Sequence, residues 1–311
     1  MPIKIREEDS RLKGEKKMGM LLSTQTGGLD GIFGEVEAIR MIGKAGFDCA
    51  DYSAFLLTRT EDHPALGSGY KQYAKTLLDA AREAGITFNQ SHAPYPSSRE
   101  GDEEYNAKIE DILKRSIEFA SIIGAKVICI HPVKTLSETD EKQHEDNLAF
   151  YRRLEPCARD FGIKIGIENM FFTDEKSKCK RPSVCGTSER MNRLFDELSS
   201  DAFTCLIDVG HCGLAGEEPD VFIRRVGGKR LGALHIQDNN YRTDDHTIPF
   251  MRSIDWAAVT KALHDVGYAG DFTFEANAYV HHMPKEMVAD TLAYLGKVGR
   301  FLISQIENPQ E

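Results

Sequence analysis

The chain has 311 residues and sets 39 Lys and Arg against 49 Asp and Glu, a formal charge of −10. With 41% apolar and 28% charged residues it can bury a large core, which excludes disorder over its body. No window approaches the roughly 20 apolar residues of a membrane-spanning helix, and the acidic balance argues against neutralising phosphates along a nucleic acid.

In chain order, residues 1–17 (MPIKIREEDSRLKGEKK) are charged throughout and lack the apolar core of a signal peptide; they read as a polar lead-in to a cytoplasmic protein. Eight short apolar runs follow. KMGMLLS opens near 18, GFDCADYS near 46, ITFNQSHAP near 86 and KVICIHP near 126. IKIGIEN opens near 163, FTCLIDVGH near 203, RLGALHIQD near 230 and DFTFEAN near 271. Continuous rather than alternating apolarity predicts strands covered on both faces. Stretches with helical period lie between them, at 34–45, 70–83, 105–123, 144–160, 188–198 and 287–301. Gly46, Gly85 and Gly162 stand where a preceding helix should stop. Alternating strands and helices predict one α/β domain, a (β/α)8 TIM barrel over 18–303, with a polar tail at 304–311. A doubly wound open sheet is the runner-up, but no G-x-G-x-x-G follows the first strand. The seven cysteines show no pairing pattern and read as reduced thiols; the C-x5-C spacing of Cys179 and Cys185 is too weak for a metal clip.

The runs end in chemistry. The third closes on His92, the fourth on His131, the fifth on Glu168 and the sixth on Asp208 with His211. The seventh carries His235 and Asp238, and the eighth ends in Glu275. In a barrel these ends converge on one mouth. Ionisable groups ending buried strands are costly unless paired, hydrogen-bonded or metal-bound. Glu168, Asp208, His235 and Glu275, from four consecutive strands, supply three carboxylates and one imidazole, a set suited to Mn²⁺, Zn²⁺, Co²⁺ or Mg²⁺.

Taken in order, HAPY, IHP, IEN, IDVGH, LHIQDN, a D-x-H and FEAN resemble the xylose isomerase-like TIM-barrel superfamily from about residue 18 to 300. The resemblance implies a sugar, sugar-phosphate or inosose isomerase or epimerase, with endonuclease IV as a distant relative. It implies one divalent ion, Mn²⁺ first, held by Glu168, Asp208, His235 and Glu275. Glu168 and Glu275, expected on opposite sides of the mouth, would move the proton through a metal-stabilised enediolate. His211 matches the histidine that binds substrate oxygens in such enzymes. Arg242 is the nearest match to their substrate-contacting arginine and lies one residue further along, while His92, His131, Asp244 and His246 complete the substrate pocket. Endonuclease IV holds three zinc ions with nine residues, whose counterparts are His92, His131, Glu168, Asp208, His211, His235, Asp244, His246 and Glu275. The segment DDHTIPFMRSIDW resembles the isomerase pattern D-D-H-x-x-P-x-x-G-x-x-D-W more than the nuclease one, with Arg252 in place of its glycine. That cation either binds an acid group on the substrate or turns outward.

Residues 170–187 form a long insertion suited to covering a site. Met170, Phe171 and Phe172 would roof the substrate, and Asp174 is a weaker candidate contact. Lys176, Lys178, Lys180 and Arg181 read as a solvated basic face rather than a phosphate site. Trp256 is expected to pack the last helix on the barrel, and His281 and His282 to lie on the surface. A lyase or dehydratase on a sugar-like substrate, C-glycoside cleavage included, would use the same site; a zinc phosphodiesterase and a non-catalytic sugar binder are weaker alternatives. The expected partner is a small sugar-like molecule, with neither membrane nor nucleic acid, and homo-oligomerisation is left open.

Overall fold

The computed structural model describes residues 19–60, 62–135, 139–174 and 177–309; the lead-in 1–17 and Lys176 lie outside them. The strands are β1 (Leu22–Gln25), β2 (Cys49–Ser53), β3 (Thr87–His92), β4 (Val127–Ile130), β5 (Lys164–Glu168), the short pair β6 (Phe171–Thr173) and β7 (Lys180–Pro182), β8 (Phe203–Asp208), β9 (Leu231–His235) and β10 (Phe272–Phe274). Eight of them form one parallel sheet in the order β10-β1-β2-β3-β4-β5-β8-β9, while β6 and β7 make a separate antiparallel hairpin. The seam closes where Ile236 N–H donates to Thr273 O (2.9 Å) and Glu275 N–H to Ile236 O (3.0 Å). Each predicted run supplies one barrel strand.

The continuous apolarity of the runs has two causes. Outward side chains such as Ile128, Ile130, Ile165, Ile167 and Leu234 are buried in the main core against the helices. Val127, Cys129, Leu206 and Ala233 form a small separate cluster on the other face. The rest of the interior is polar and largely satisfied internally, as burial demands, with Asp51 Oδ1 and Asp208 Oδ2 as exceptions at the mouth. Ser23 Oγ donates to Asn89 Oδ1 (2.8 Å), Asn89 Nδ2 to Thr273 Oγ1 (3.1 Å) and Thr273 Oγ1 to Gln90 Oε1 (3.2 Å). This ladder climbs to the mouth, where Gln90 Nε2 donates to Asp51 Oδ2 (2.9 Å).

The outer layer contains the helices Glu35–Lys44, Tyr70–Ala84, Glu103–Ile123, Asp140–Phe161, Ser188–Leu198, Pro219–Val226, Trp256–Asp265 and Lys285–Glu307. Their ends follow local chemistry. Asp102, Thr139, Thr187 and Asp255 cap N-termini through side-chain oxygens. Gly85 (φ 72°) and Gly162 (φ 63°) close helices in the left-handed conformation, as the sequence predicts. Helix Ser188–Leu198 buries Met191, Leu194, Phe195 and Leu198, one stripe worth about 1.5–3 kcal/mol per fully buried side chain.

One expectation shifts. The last helix runs to Glu307 with Ile303 and Ile306 buried, so the polar tail starts later than 304. Trp256 is buried at the start of helix Trp256–Asp265, beside Phe301 and Leu302 of the last helix as expected, and its indole N–H donates to Asp238 Oδ2 (3.3 Å). Asp238 also accepts from the Arg252 and Ile254 N–H groups, so it ties down the loop after β9 and is not a ligand. On the last helix Met287, Tyr294 and Phe301 stay exposed seven residues apart, an apolar stripe not singled out in the sequence. No helix among the described residues is long and apolar enough to cross a membrane.

Candidate functional site

Glu168, Asp208 and His235 are the last residues of β5, β8 and β9, and Glu275 follows β10 directly. All four are buried, and their candidate ligand atoms lie within 4.8 Å of one another. His235 Nδ1 sits 2.7 Å from Glu168 Oε1 and 3.1 Å from Glu275 Oε2. The two glutamates, from strands separated by β8 and β9, therefore converge on one imidazole nitrogen. Their second oxygens are held from outside the cluster: Glu168 Oε2 lies 2.7 Å from His131 Nε2, and Glu275 Oε1 accepts from Gln25 Nε2 (2.8 Å).

Asp208 Oδ1 accepts the His211 N–H (2.8 Å) and so caps the helix Val209–Leu214, while its buried Oδ2 has no partner among the described residues. Burial, with Glu275 and Glu168 nearby, pushes its pKa up to about 7. Burial opposes ionisation of the glutamates as well, but His235 and His131 hold Glu168 well below the usual carboxylate range, and His235 takes Glu275 down to about 2. Three buried carboxylates around one imidazole, with one oxygen left bare, form a set that a divalent cation satisfies. The donors fit a divalent ion.

The other face of His235 reveals a residue the sequence reading missed. His235 Nε2 lies 3.1 Å from Asp51 Oδ2, and Asp51 is fully buried in β2. A carboxylate on the far nitrogen orients a ligating histidine and raises its basicity. The available signal was an aspartate inside the buried run CADYS.

Two further clusters adjoin the first. His92, Cys129, Glu168 and His235 form one, with His92 Nε2 3.1 Å from His131 Nε2. Burial and the neighbouring His131 bring His92 down to about 4. His211, Asp244 and His246 form the other, Asp244 Oδ2 lying 3.5 Å from His211 Nε2 and 3.1 Å from His246 Nε2. Burial works against the charge on His211, yet Asp208 and Asp244 raise its pKa to about 10. The motif residues around it brace the mouth. Asn169 donates to Asp208 O (3.0 Å) and accepts from Asp208 N–H (2.7 Å), stapling the end of β5 to that of β8.

Gly210 of DVGH has a steric reason. A Cβ there would stand 2.4 Å from Gln237 Cδ, and Gln237 is fully buried and donates to Asp244 Oδ1 (2.7 Å). Gly210→Ala is expected to destabilise the fold by about 1–3 kcal/mol and to displace Asp244. Urea melts check it, and a change under about 0.5 kcal/mol would contradict the packing argument.

Above the clusters opens a cavity of about 840 Å³. His92, His131, His211, Asp244, His246 and Glu275 line it, with Met170, Phe171 and Phe172 forming a wall as expected. His281 and His282 are exposed, also as expected, yet they reach its rim. Arg242 is a correction: it is exposed, among the described residues only its backbone N–H is engaged (by Asn240 Oδ1, 2.9 Å), and it is not part of the wall. The arginine of the wall is Arg59, which donates to the Tyr95 hydroxyl (3.1 Å) and lies over the Phe55 and Tyr95 rings; no motif in the sequence marks it. Arg252 turns to Asp245 (3.1 Å). Asp174 accepts from Ser177 N–H (2.7 Å) inside the hairpin turn and is not part of the wall. Cys179 is exposed and Cys185 buried, both free thiols, with Cys185 donating to Glu168 O (2.9 Å).

A family model described as a xylose isomerase-like TIM barrel matches residues 39–298. An uncharacterized protein, y4fM, of Sinorhizobium fredii is 30% identical over 53% of this chain and 51% of its own length. A D-psicose 3-epimerase of Enterocloster bolteae is 22% identical over 66% of each chain. The matches thus span about half to two-thirds of the length of these curated relatives. Among solved structures, the IOLI protein with a bound zinc atom is similar at a TM-score of 0.70 and 17% identity, over 92% of this chain and 99% of that one.

Proposed function

The chain belongs to the xylose isomerase-like TIM barrel family, and from that premise we propose that it is a divalent-metal-dependent isomerase or epimerase of a sugar or sugar-like polyol. One observation carries the reading: Glu168 and Glu275 meet at His235 Nδ1 beside the bare oxygen of Asp208, directly under a cavity with room for a sugar. The 3-epimerase relative and the zinc-bearing structural neighbour support it.

Glu168, Asp208, His235 and Glu275 would hold the ion, with Mn²⁺ first and Zn²⁺, Co²⁺ or Mg²⁺ as alternatives. When bound, such an ion supplies Lewis-acid polarisation of a carbonyl and stabilises the charge of an enediolate. The protein's own groups do the rest. Glu275 faces the cavity and is the carboxylate placed to take or return a substrate proton; Glu168 lies beneath it, fully buried, as the second carrier. His131 and Gln25 hold one oxygen of Glu168 and of Glu275 respectively, and the other oxygen of each turns to His235 Nδ1, where the ion would sit. His211, His246 and His92 would hydrogen-bond substrate oxygens. A lyase acting on a sugar-like substrate would use the same groups.

The test pairs metal content of protein purified without chelators with solvent deuterium uptake into a panel of ketoses, keto-glycosides and inososes. Uptake by at least one sugar, lost together with the ion in Glu275→Gln, is the expected result; a loaded protein that labels none of them defeats the reading. The second reading is a three-zinc phosphodiesterase, favoured by the two extra ligand clusters. It requires close to three zinc ions per chain and cleavage of abasic DNA. Chelation is expected to lower the melting temperature by roughly 5–10 °C, since an ion at 1,000 times its Kd adds about 4 kcal/mol to a chain of this size. An unchanged melt after verified metal removal would contradict a resident ion.

A further inference from the structure

The wall of the cavity carries charge that the protein leaves unbalanced. Its acidic groups are already engaged: Asp244 lies between the imidazoles of His211 and His246, and Asp245 pairs with Arg252 (3.1 Å). The lysines are not. Among the described residues, neither Lys134 nor Lys180 has a carboxylate partner.

Lys134 lines the cavity three residues beyond His131. Its backbone is held in place, because Val133 N–H donates to Asn147 Oδ1 (2.8 Å) and Asn147 Nδ2 donates back to Val133 O (3.0 Å). Asn147 is itself fully buried in helix Asp140–Phe161. Lys180 approaches from the hairpin. Its Nζ donates to Thr173 Oγ1 (2.8 Å) and sits 4.5 Å from the centre of the Phe171 ring, whose other neighbour is His211 at 5.3 Å. A half-buried ammonium without a counterion is costly. Burial is the main cause that lowers the pKa of Lys134, and the charge of Lys180 adds to it, while Asp244 works against it. Lys134 in the wall and Lys180 on Thr173 of the wall, neither with a carboxylate partner among the described residues, favour an anion at this edge of the cavity.

We propose that Lys134 and Lys180 form a subsite for an anionic group on the substrate, a carboxylate or a phosphate, so that the enzyme acts on a charged sugar derivative in preference to a neutral one. The assignment rests on the sugar isomerase or epimerase reading of the same cavity. Lys134 is the specificity-determining residue, since it lines the cavity on a fixed backbone; Lys180 adds charge from a hairpin that is itself part of the wall. Of the basic stretch 176–181, Lys178 and Arg181 stay exposed, and Arg181 lies 3.9 Å from Asp174.

Calorimetric binding of D-fructose, D-fructose 6-phosphate and D-galacturonate to the metal-loaded full chain tests it without requiring turnover; deuterium uptake is measured in parallel. The expected result is that the phosphate or the acid binds at least about tenfold more tightly than fructose, and that Lys134→Met weakens the charged ligand about 10–100-fold while leaving fructose unchanged. Lys134→Arg should restore most of the loss, and Lys180→Met should give a smaller effect in the same direction. Which charged ligand responds to Lys134→Met distinguishes phosphate from carboxylate. If fructose binds as well as both charged ligands, or if the lysine variants weaken all three alike, the subsite is wrong whatever the activity. If charged ligands bind through Lys134 but none takes up deuterium, the subsite stands and the isomerase reading fails.

Discussion

Glu168→Gln is expected to lower turnover by about a thousandfold or more and to empty the metal site. The side chain has two duties. Its Oε1 lies 2.7 Å from His235 Nδ1 and its Oε2 lies 2.7 Å from His131 Nε2, so one carboxylate bridges the ion-binding cluster and the neighbouring histidines. A positioned proton carrier alone contributes about 10²–10⁴-fold, and loss of the ligand charge adds to that. The amide keeps the shape but removes the negative charge that both imidazoles face, and breaking such a buried pair costs about 3–5 kcal/mol. Turnover, metal content and melting temperature should be measured together. A variant that keeps more than about a tenth of wild-type turnover, at the proton-transfer scale above, or that retains its ion, would remove Glu168 from the mechanism.

Asp51→Asn should weaken metal binding about 10–100-fold with all four ligands intact. Asp51 sits 3.1 Å from His235 Nε2 and is too deep to meet substrate, with no exposed surface. Its charge keeps Nδ1 turned toward the carboxylates and strengthens it as a donor. Gln90, which donates to the same Asp51 oxygen (2.9 Å), holds that carboxylate in turn. Competition against a fluorescent chelator gives the affinity directly. An unchanged Kd would mean that packing alone orients His235, and Asp51 would then be only a buried acid tolerated by the fold.

The barrel was legible because its determinants are local. Each apolar run needed to be continuous to be covered on both faces, and each helix carries its own stripe, caps and terminal glycine. The candidate ligands were legible because Glu168, Asp208 and His235 end their strands and Glu275 follows one directly, and parallel strands bring their ends to one mouth whatever their separation in sequence.

By itself, then, the sequence determined eight strand–helix units, their closure into a family of barrels, and which side chains stand at the mouth. The tertiary structure decided what each of those side chains faces. Asp51 meets His235 across 184 residues, Arg252 is taken up by Asp245, Arg242 stays outside while Arg59 comes in, and Lys134 reaches the cavity with no carboxylate partner among the described residues. The reason is physical. Burial pattern and helix ends are set by neighbours within a few residues, whereas the pairing of charges depends on strand register and rotamer across the whole mouth, where a shift of one residue exchanges an ion pair for a bare charge.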